Sequence, residues 1–244
     1  MADLNNIFLN NIFLNNTFLN NIKGIRNLRM KEEKRKAVLF DLDGVVLDTE
    51  TQYTLFWDKQ GEKYLGIKNF CCRIKGQTLT QIFEAYFAAM PEARLEIVDR
   101  LNAFEKEMAY EYIPGAVDFM LDLHRHGVKS AIVTSSNEAK MEHVYRAHPE
   151  LKELVDVILT GEMFERSKPA PDCFLLGMKR LCALPEDTYV FEDSFHGLQA
   201  GMDCGAYVVG LATTNPADAI AGKAHFVIDD FRGMTYDKLL ELHR

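Results

Sequence analysis

From residue 128 onward the chain alternates short apolar runs with helical patterns, and few architectures accept that order. Val128–Val133, Val155–Leu159, Tyr189–Phe191, Ala206–Leu211 and His225–Ile228 read as strands. Glu138–Ala147, a stretch near Asp172–Leu181 and Gly197–Cys204 read as the helices between them. Strand–helix alternation predicts a parallel sheet with helices on both faces. An earlier apolar run, Ala37–Phe40, follows the charged cluster Lys31–Lys36 and reads as another buried strand. Residues 51–112 separate it from the rest and are helical in character. Gln81–Ala89 and Ala93–Tyr110 are the clearest helices there, the second with Leu95, Val98, Leu101, Phe104 and Met108 at helical spacing. Pro91 either separates the two or sits in the first turn of the second. The expected fold is therefore α/β. A doubly wound, Rossmann-like parallel-sheet core (31–50 and 113–244) carries a small inserted α-helical cap domain (51–112).

In open parallel sheets ligands bind beyond the carboxyl ends of the strands, so the residues found there bear on function. The first strand runs into Asp41 and Asp43, which strand periodicity points to one side, followed by Gly44. Two carboxylates so placed suit a divalent cation, and one of them is also a potential nucleophile. The competing reading is a solvated turn, since Asp and Gly are common turn residues. The second strand ends in Thr134-Ser135-Ser136-Asn137, hydroxyls ahead of a helix N-terminus that suit an anion. Ser135 with Glu138 also fits a plain capping box. Lys168 lies in the proline-bounded turn Lys168–Asp172, and Glu192-Asp193-Ser194 closes a further strand. Alone, the lysine reads as a surface residue and the acidic pair as a loop. Chemistry-bearing residues at four strand ends are harder to explain as turns.

Composition narrows the partners. The net charge of -8 comes without a basic block, which argues against nucleic acid and leaves an anionic substrate dependent on local cations. No apolar run approaches the length that spans a bilayer. The five cysteines (71, 72, 173, 182 and 204) have no CxxC spacing, which favours reduced thiols and a cytoplasmic location. A monomer is expected. Residues 1–30 repeat Asn-Asn-Ile-Phe-Leu with a period of five that fits neither helix nor strand. They read as a disordered low-complexity leader, with Met30 as an alternative start and no expected effect of deleting 1–29 on activity.

Taken together, DLDGVVLDTE at 41–50, IVTSSN at 132–137, KPAPD at 168–172 and FEDSFHGLQAG at 191–201 resemble, in order, the four motifs of the haloacid dehalogenase (HAD) superfamily of phosphohydrolases. The resemblance covers residues 36 to about 230. The helical insertion after the first motif resembles that of the β-phosphoglucomutase-like branch. It implies Asp41 as nucleophile and Asp43 as acid/base. Thr134, Ser135 and Lys168 would bind phosphate. Mg2+ would be held by Asp41, Asp43 (through its main-chain carbonyl), Asp193 and Glu192. The loop 74–80, with Lys75, Gly76 and Gln77, would face the substrate.

The expected activity is Mg-dependent hydrolysis of a small phosphorylated metabolite, a sugar phosphate by preference, through an aspartyl-phosphate. Tyr53 stands where the mutase has a histidine and Leu79 where it has an arginine, both departures from a β-phosphoglucomutase-type mutase, although Arg73 or Lys75 could substitute. Dehalogenation would need neither magnesium nor the acidic pair. A non-catalytic binding protein on the same fold would lack any need for Asp41 and Asp43. Asp48 and Glu50 fit either a role in the loop after Gly44 or solvation, Cys71-Cys72 reads as buried thiols, and His196 reads as loop filler.

Overall fold

The computed structural model describes residues 36–242; the expectations for residues 1–30 lie outside them. Six parallel strands form one sheet: β1 (Ala37–Phe40), β2 (Lys129–Val133), β3 (Val157–Leu159), β4 (Thr188–Glu192), β5 (Tyr207–Leu211) and β6 (Phe226–Ile228). Their order is β3-β2-β1-β4-β5-β6, and every pairing is parallel. The doubly wound core is as expected.

β1 is buried on both faces, as a central parallel strand must be. Alternation sends its residues to opposite layers: Val38 and Phe40 join one apolar cluster and Leu39 the other. β4 repeats the division with Tyr189 and Phe191 against Val190. The register pairs Phe40 with Ile132 on one side and Phe191 on the other. The carboxyl ends of β1 and β4 are thereby level, at the point where strand order reverses. Crevices open at such a point.

The insertion comprises α1 (Glu50–Gln60), α2 (Cys71–Ile74), α3 (Leu79–Tyr86) and α4 (Pro91–Glu107). A π-helical turn, Gly61–Leu65, continues α1. Pro91 opens α4, where its missing N–H costs nothing. These helices bury an apolar cluster of their own, including Trp57, Phe70, Ile82, Phe87 and Leu101. The buried row of α4 is Ala93, Ile97, Leu101 and Glu105, while Leu95 points to solvent, 69 % exposed. The apolar stripe expected from the sequence was thus rotated, because Leu95 is a surface leucine and a glutamate occupies the inner face. The chain enters and leaves the insertion through paired segments. Asp48 N–H donates to Glu111 O (2.8 Å) and Ile113 N–H to Val46 O (2.9 Å).

After the insertion come α5 (Ala116–Arg125), α6 (Glu138–Ala147), α7 (Leu151–Leu154), α8 (Asp172–Leu181), α9 (Phe195–Asp203), α10 (Ala217–Ile220) and α11 (Tyr236–Glu241). Asn137, not Ser135, caps α6, accepting from Lys140 N–H at 2.9 Å. The capping box expected of Ser135 and Glu138 does not form, and the Glu138 carboxylate instead accepts from Thr160. Ser135 is thereby left for other contacts.

Candidate active site

Asp41 follows β1 directly and is held level with β4 by donating its N–H to Phe191 O (3.0 Å). Its carboxylate pairs with the ammonium of Lys168, which also reaches Glu192 Oε1 at 2.6 Å. Lys168 is only 1 % exposed. Burial opposes its charge, but the two carboxylates reverse that and hold its pKa above the usual lysine range. The surface reading of Lys168 is therefore wrong, and its burial is tolerable because both faces of its charge are matched.

Glu192 Oε2 accepts the N–H groups of Asp193 and Ser194 (both 2.9 Å) and the Ser194 hydroxyl (3.0 Å). Ser194 in turn caps α9. Its carboxylate is thus occupied, and Glu192 organises the turn that sets Asp193 in place. Asp193 is different. Its Oδ2 is buried with no well-formed hydrogen bond. Burial first, then Glu192, Glu50 and Asp41, raise its pKa well above the carboxylate range, offset only partly by Thr214. Asp41 is likewise raised, by burial ahead of Glu192 and Asp43, against Lys168.

Ligand oxygens of Asp41, Glu192 and Asp193 lie within 4.8 Å of one another. A buried acidic cluster with an unsatisfied oxygen and charges that repel suits a hard divalent cation, since it offers oxygen ligands and lacks positive charge. Gly44 makes the cluster possible. Its φ is +76°, and a Cβ there would come within 2.1 Å of Asp193 Oδ2.

Asp43 does not share this cluster. One carboxylate oxygen accepts from Lys140 and Thr49, and the other accepts from Ser136 at 2.9 Å. Burial raises its pKa, yet Lys140 and these hydrogen bonds outweigh that and leave it below the ordinary value. Its side chain is therefore no metal ligand here; only its main-chain carbonyl remains for that role. The two aspartates of one short motif differ because one faces β4 and the other faces α6.

Thr134 is buried, and its Oγ1 accepts from Ser136 N–H (3.0 Å). That leaves its hydroxyl hydrogen to donate into the cavity. Ser135 reaches the insertion instead, donating to Gly76 O at 3.2 Å. Two more bonds join this loop and α3 to the strand ends. His196 Nδ1 meets Lys75 O (2.7 Å), and Gln81 Nε2 donates to Lys168 O (3.2 Å). His196 is therefore more than filler. Gly76, with φ +77°, permits the approach, since a Cβ would sit 2.7 Å from Ser194 Oγ. Lys75 pairs with the half-buried Glu50 at 3.3 Å, while Asp48 is exposed. Gln77 lines the cavity, its amide donating to Arg73 O at 3.1 Å.

These groups surround one cavity of about 680 Å³. The phosphate-binding and loop residues expected from the sequence border it together with Asp41, Asp43 and Asp193, Lys168 lying just behind Asp41. Sequence reasoning missed Lys140, Thr49 and Glu105, and it read Ser136 as part of an anion site rather than as a partner of Asp43. It also missed the loop after β5, where Thr213 donates to Gly44 O and Asn215 to Asp193 O (2.8 Å). That loop is a fifth strand end, which the rule applied to the other four would have found.

The sequence matches the haloacid dehalogenase-like hydrolase family over residues 38–211. The chain belongs to that family. Hexitol phosphatase A of Escherichia coli is 30 % identical over 190 residues, covering 75 % of this chain and 85 % of that protein. A phosphatase of phosphorylated carbohydrates from Thermotoga maritima is 29 % identical, covering 70 % and 82 %. The crystal structure of a β-phosphoglucomutase from Clostridium difficile superposes with a TM-score of 0.69 at 23 % identity, covering 85 % of this chain and 96 % of that one, a likeness of fold. A haloacid dehalogenase-like hydrolase with this acidic cluster intact is an enzyme of the phosphatase type. No helix among the described residues is long and apolar enough to cross a membrane.

Proposed function

We propose that the protein hydrolyses a monophosphate ester of a sugar or polyol through an aspartyl-phosphate at Asp41. The observation that carries the substrate class is the charge state of the cavity. Each lysine or arginine that lines it or backs it is already matched: Lys75 by Glu50, Lys140 by Asp43, Lys168 by Asp41 and Glu192, and Arg166 by Asp172. Among the described residues no cation is left there to receive a second phosphate. Glu84, Glu105, Glu162 and Glu165 add negative charge to the lining. A neutral hydroxylated leaving group fits such walls; a bisphosphate does not. The carbohydrate phosphatases among its relatives agree with this reading.

The chemistry follows from the residues. Uncatalysed phosphate-monoester hydrolysis is so slow that the site must supply roughly 20 kcal/mol or more. Asp43, ionised in the free site, takes up the proton that a monoanionic ester brings. Asp41 attacks phosphorus, and the bond to the ester oxygen breaks as Asp43 passes that proton to it. Water then attacks the aspartyl-phosphate, Asp43 takes its proton, and phosphate leaves with Asp41 restored. Thr134 and Lys168 hold the phosphoryl oxygens, Ser135 frames them, and Lys75, Gly76 and Gln77 face the leaving group. A bound Mg2+ would be held by Asp41, Asp193 and the Asp43 carbonyl, with Glu192 behind them. It would supply positive charge that lets a carboxylate approach a phosphoryl dianion.

The test is Mg-dependent phosphate release from a panel of sugar, polyol and bisphosphate esters, with Asp41→Asn in parallel. Release from monophosphates that Asp41→Asn abolishes is expected. A preference for bisphosphates would overturn the substrate class. Isomerisation of β-glucose 1-phosphate faster than its hydrolysis would favour the mutase, to which the shared fold is open. Tyr53 and Leu79, at the positions where the mutase carries its histidine and arginine, weigh against it.

A further inference from the structure

We infer that Lys140 is a positioning residue for Asp43, one that determines which carboxyl oxygen carries the proton in catalysis. The inference rests on the phosphatase reading above. Lys140 lies in the first turn of α6 between Glu138 and Glu142, and its sequence context is that of a solvated lysine. It is instead 3 % exposed, with its ammonium on Asp43 Oδ1 and 4.5 Å above the ring of Tyr53. The Tyr53 hydroxyl donates to Glu105 Oε1 at 2.8 Å, and Tyr110 donates to the Glu105 carbonyl at 2.7 Å. Tyr53 belongs to α1 and Glu105 to α4, which packs on α6. The ammonium is thus boxed in by the core below and the inserted helices above.

An ammonium only donates hydrogen bonds, whereas a hydroxyl both donates and accepts. A proton on Asp43 Oδ1 would point at Lys140, which has no lone pair to receive it. A proton on Oδ2 meets only Ser136, whose hydroxyl turns from donor to acceptor without moving its oxygen. Lys140 and Thr49 therefore pin Oδ1 as the anchoring oxygen and leave Oδ2 to exchange the proton with substrate and water. Because the Lys140 seat is completed by Tyr53 and Glu105, aim at the leaving group depends on the inserted helices being docked. A lysine that merely neutralised a buried charge would not single out proton transfer.

That distinction sets the experiment. In the whole protein with Mg2+, kcat/KM is measured on a polyol monophosphate and on p-nitrophenyl phosphate, whose leaving group departs without a proton. Lys140→Met should lower kcat/KM for the polyol ester at least about 30-fold and for the nitrophenyl ester less than about 5-fold, since misdirected general-acid catalysis affects only the former. Lys140→Arg, which keeps the charge, should recover the polyol ester to within about 10-fold of wild type. Tyr53→Phe removes one hydroxyl from a folded site and should shift the same ratio of esters in the same direction by about 3-fold. Equal losses on both esters, an arginine variant no better than methionine, or an unchanged ratio in Tyr53→Phe would each overturn the inference. A wild type that releases phosphate from neither ester would overturn the phosphatase reading and this inference with it.

Discussion

The strand ends and the inserted helices line the same cavity but are held in different ways. At the strand ends, Asp41, Glu192, Asp193 and Lys168 are buried and locked by backbone N–H groups and by one another. On the inserted side, Lys75 and Gln77 sit in a loop that, with the helix after it, is joined to the core by side-chain hydrogen bonds of Ser135, His196, Gln81 and Ser167. The first region concentrates charge that its own surroundings penalise, as catalytic sites do when they await a ligand. In the second the loop lysine is already paired with Glu50. The acidic cluster is fixed by the sheet, while the loop that would meet the leaving group under the proposed function is attached more lightly.

The sharpest way to break this contrast is Lys168→Met. It strands two buried carboxylates and should cost about 3–5 kcal/mol of stability along with activity, read by denaturant unfolding. A loss below about 1 kcal/mol would mean that the triad is not rigidly held. Gly44→Ala comes next. The required positive φ and the approach to Asp193 predict a cost of about 2 kcal/mol and loss of Mg-dependent turnover, checked by unfolding and phosphate release.

Asp193→Asn sharpens the comparison with the opposite sign. A carboxyl whose folded pKa is raised opposes folding at every pH above its unfolded pKa; the penalty is full above the folded pKa and shrinks away as pH falls from there to the unfolded value. Without Mg2+, Asp193→Asn should therefore be the more stable protein by about 1 kcal/mol at neutral pH, with the gap closing on acidification. Mg2+ should raise the melting temperature of the wild type only. An Asp193→Asn protein less stable than wild type without metal would show the cluster to be structural. The smallest effect belongs to Lys75→Met on the inserted side: stability within about 1 kcal/mol, kcat within about twofold, and KM for the preferred ester raised several-fold.

The same contrast explains what could be read from the sequence. Asp41, Asp43, Glu192 and Asp193 sit beside the apolar runs that place them, so strand periodicity and the carboxyl-end rule locate them without a structure. The sheet was legible for the same reason. Lys140 was not, because three charged residues within a helix turn look solvated, and only α4 packing over α6 buries one of them. Glu105 left a fainter trace: it continues the row Ile97, Leu101 at four-residue spacing, where an apolar residue belongs. Tyr53 finds Glu105 across 52 residues of chain. No local pattern encodes a pair that distant. The partition of Asp43 from the acidic cluster was hidden too, since period-two alternation ends where the strand does, at Phe40.

The strand order has a consequence for how the molecule is made. β1 is the first strand synthesised, yet its neighbours are β2 and β4, so Ala37 waits for Lys129 and Thr188. At ribosomal speeds of roughly 5–20 residues per second, the last of these emerges about 8–30 s after β1. During that interval a strand whose four residues are all apolar and all buried in the fold has no edge to join, whereas the inserted helices, with contacts closed within 50–107, are free to form. The nascent chain should thus carry a folded insertion tethered to an unpaired strand. That exposed Val38-Leu39-Phe40 segment is where a chaperone would be needed.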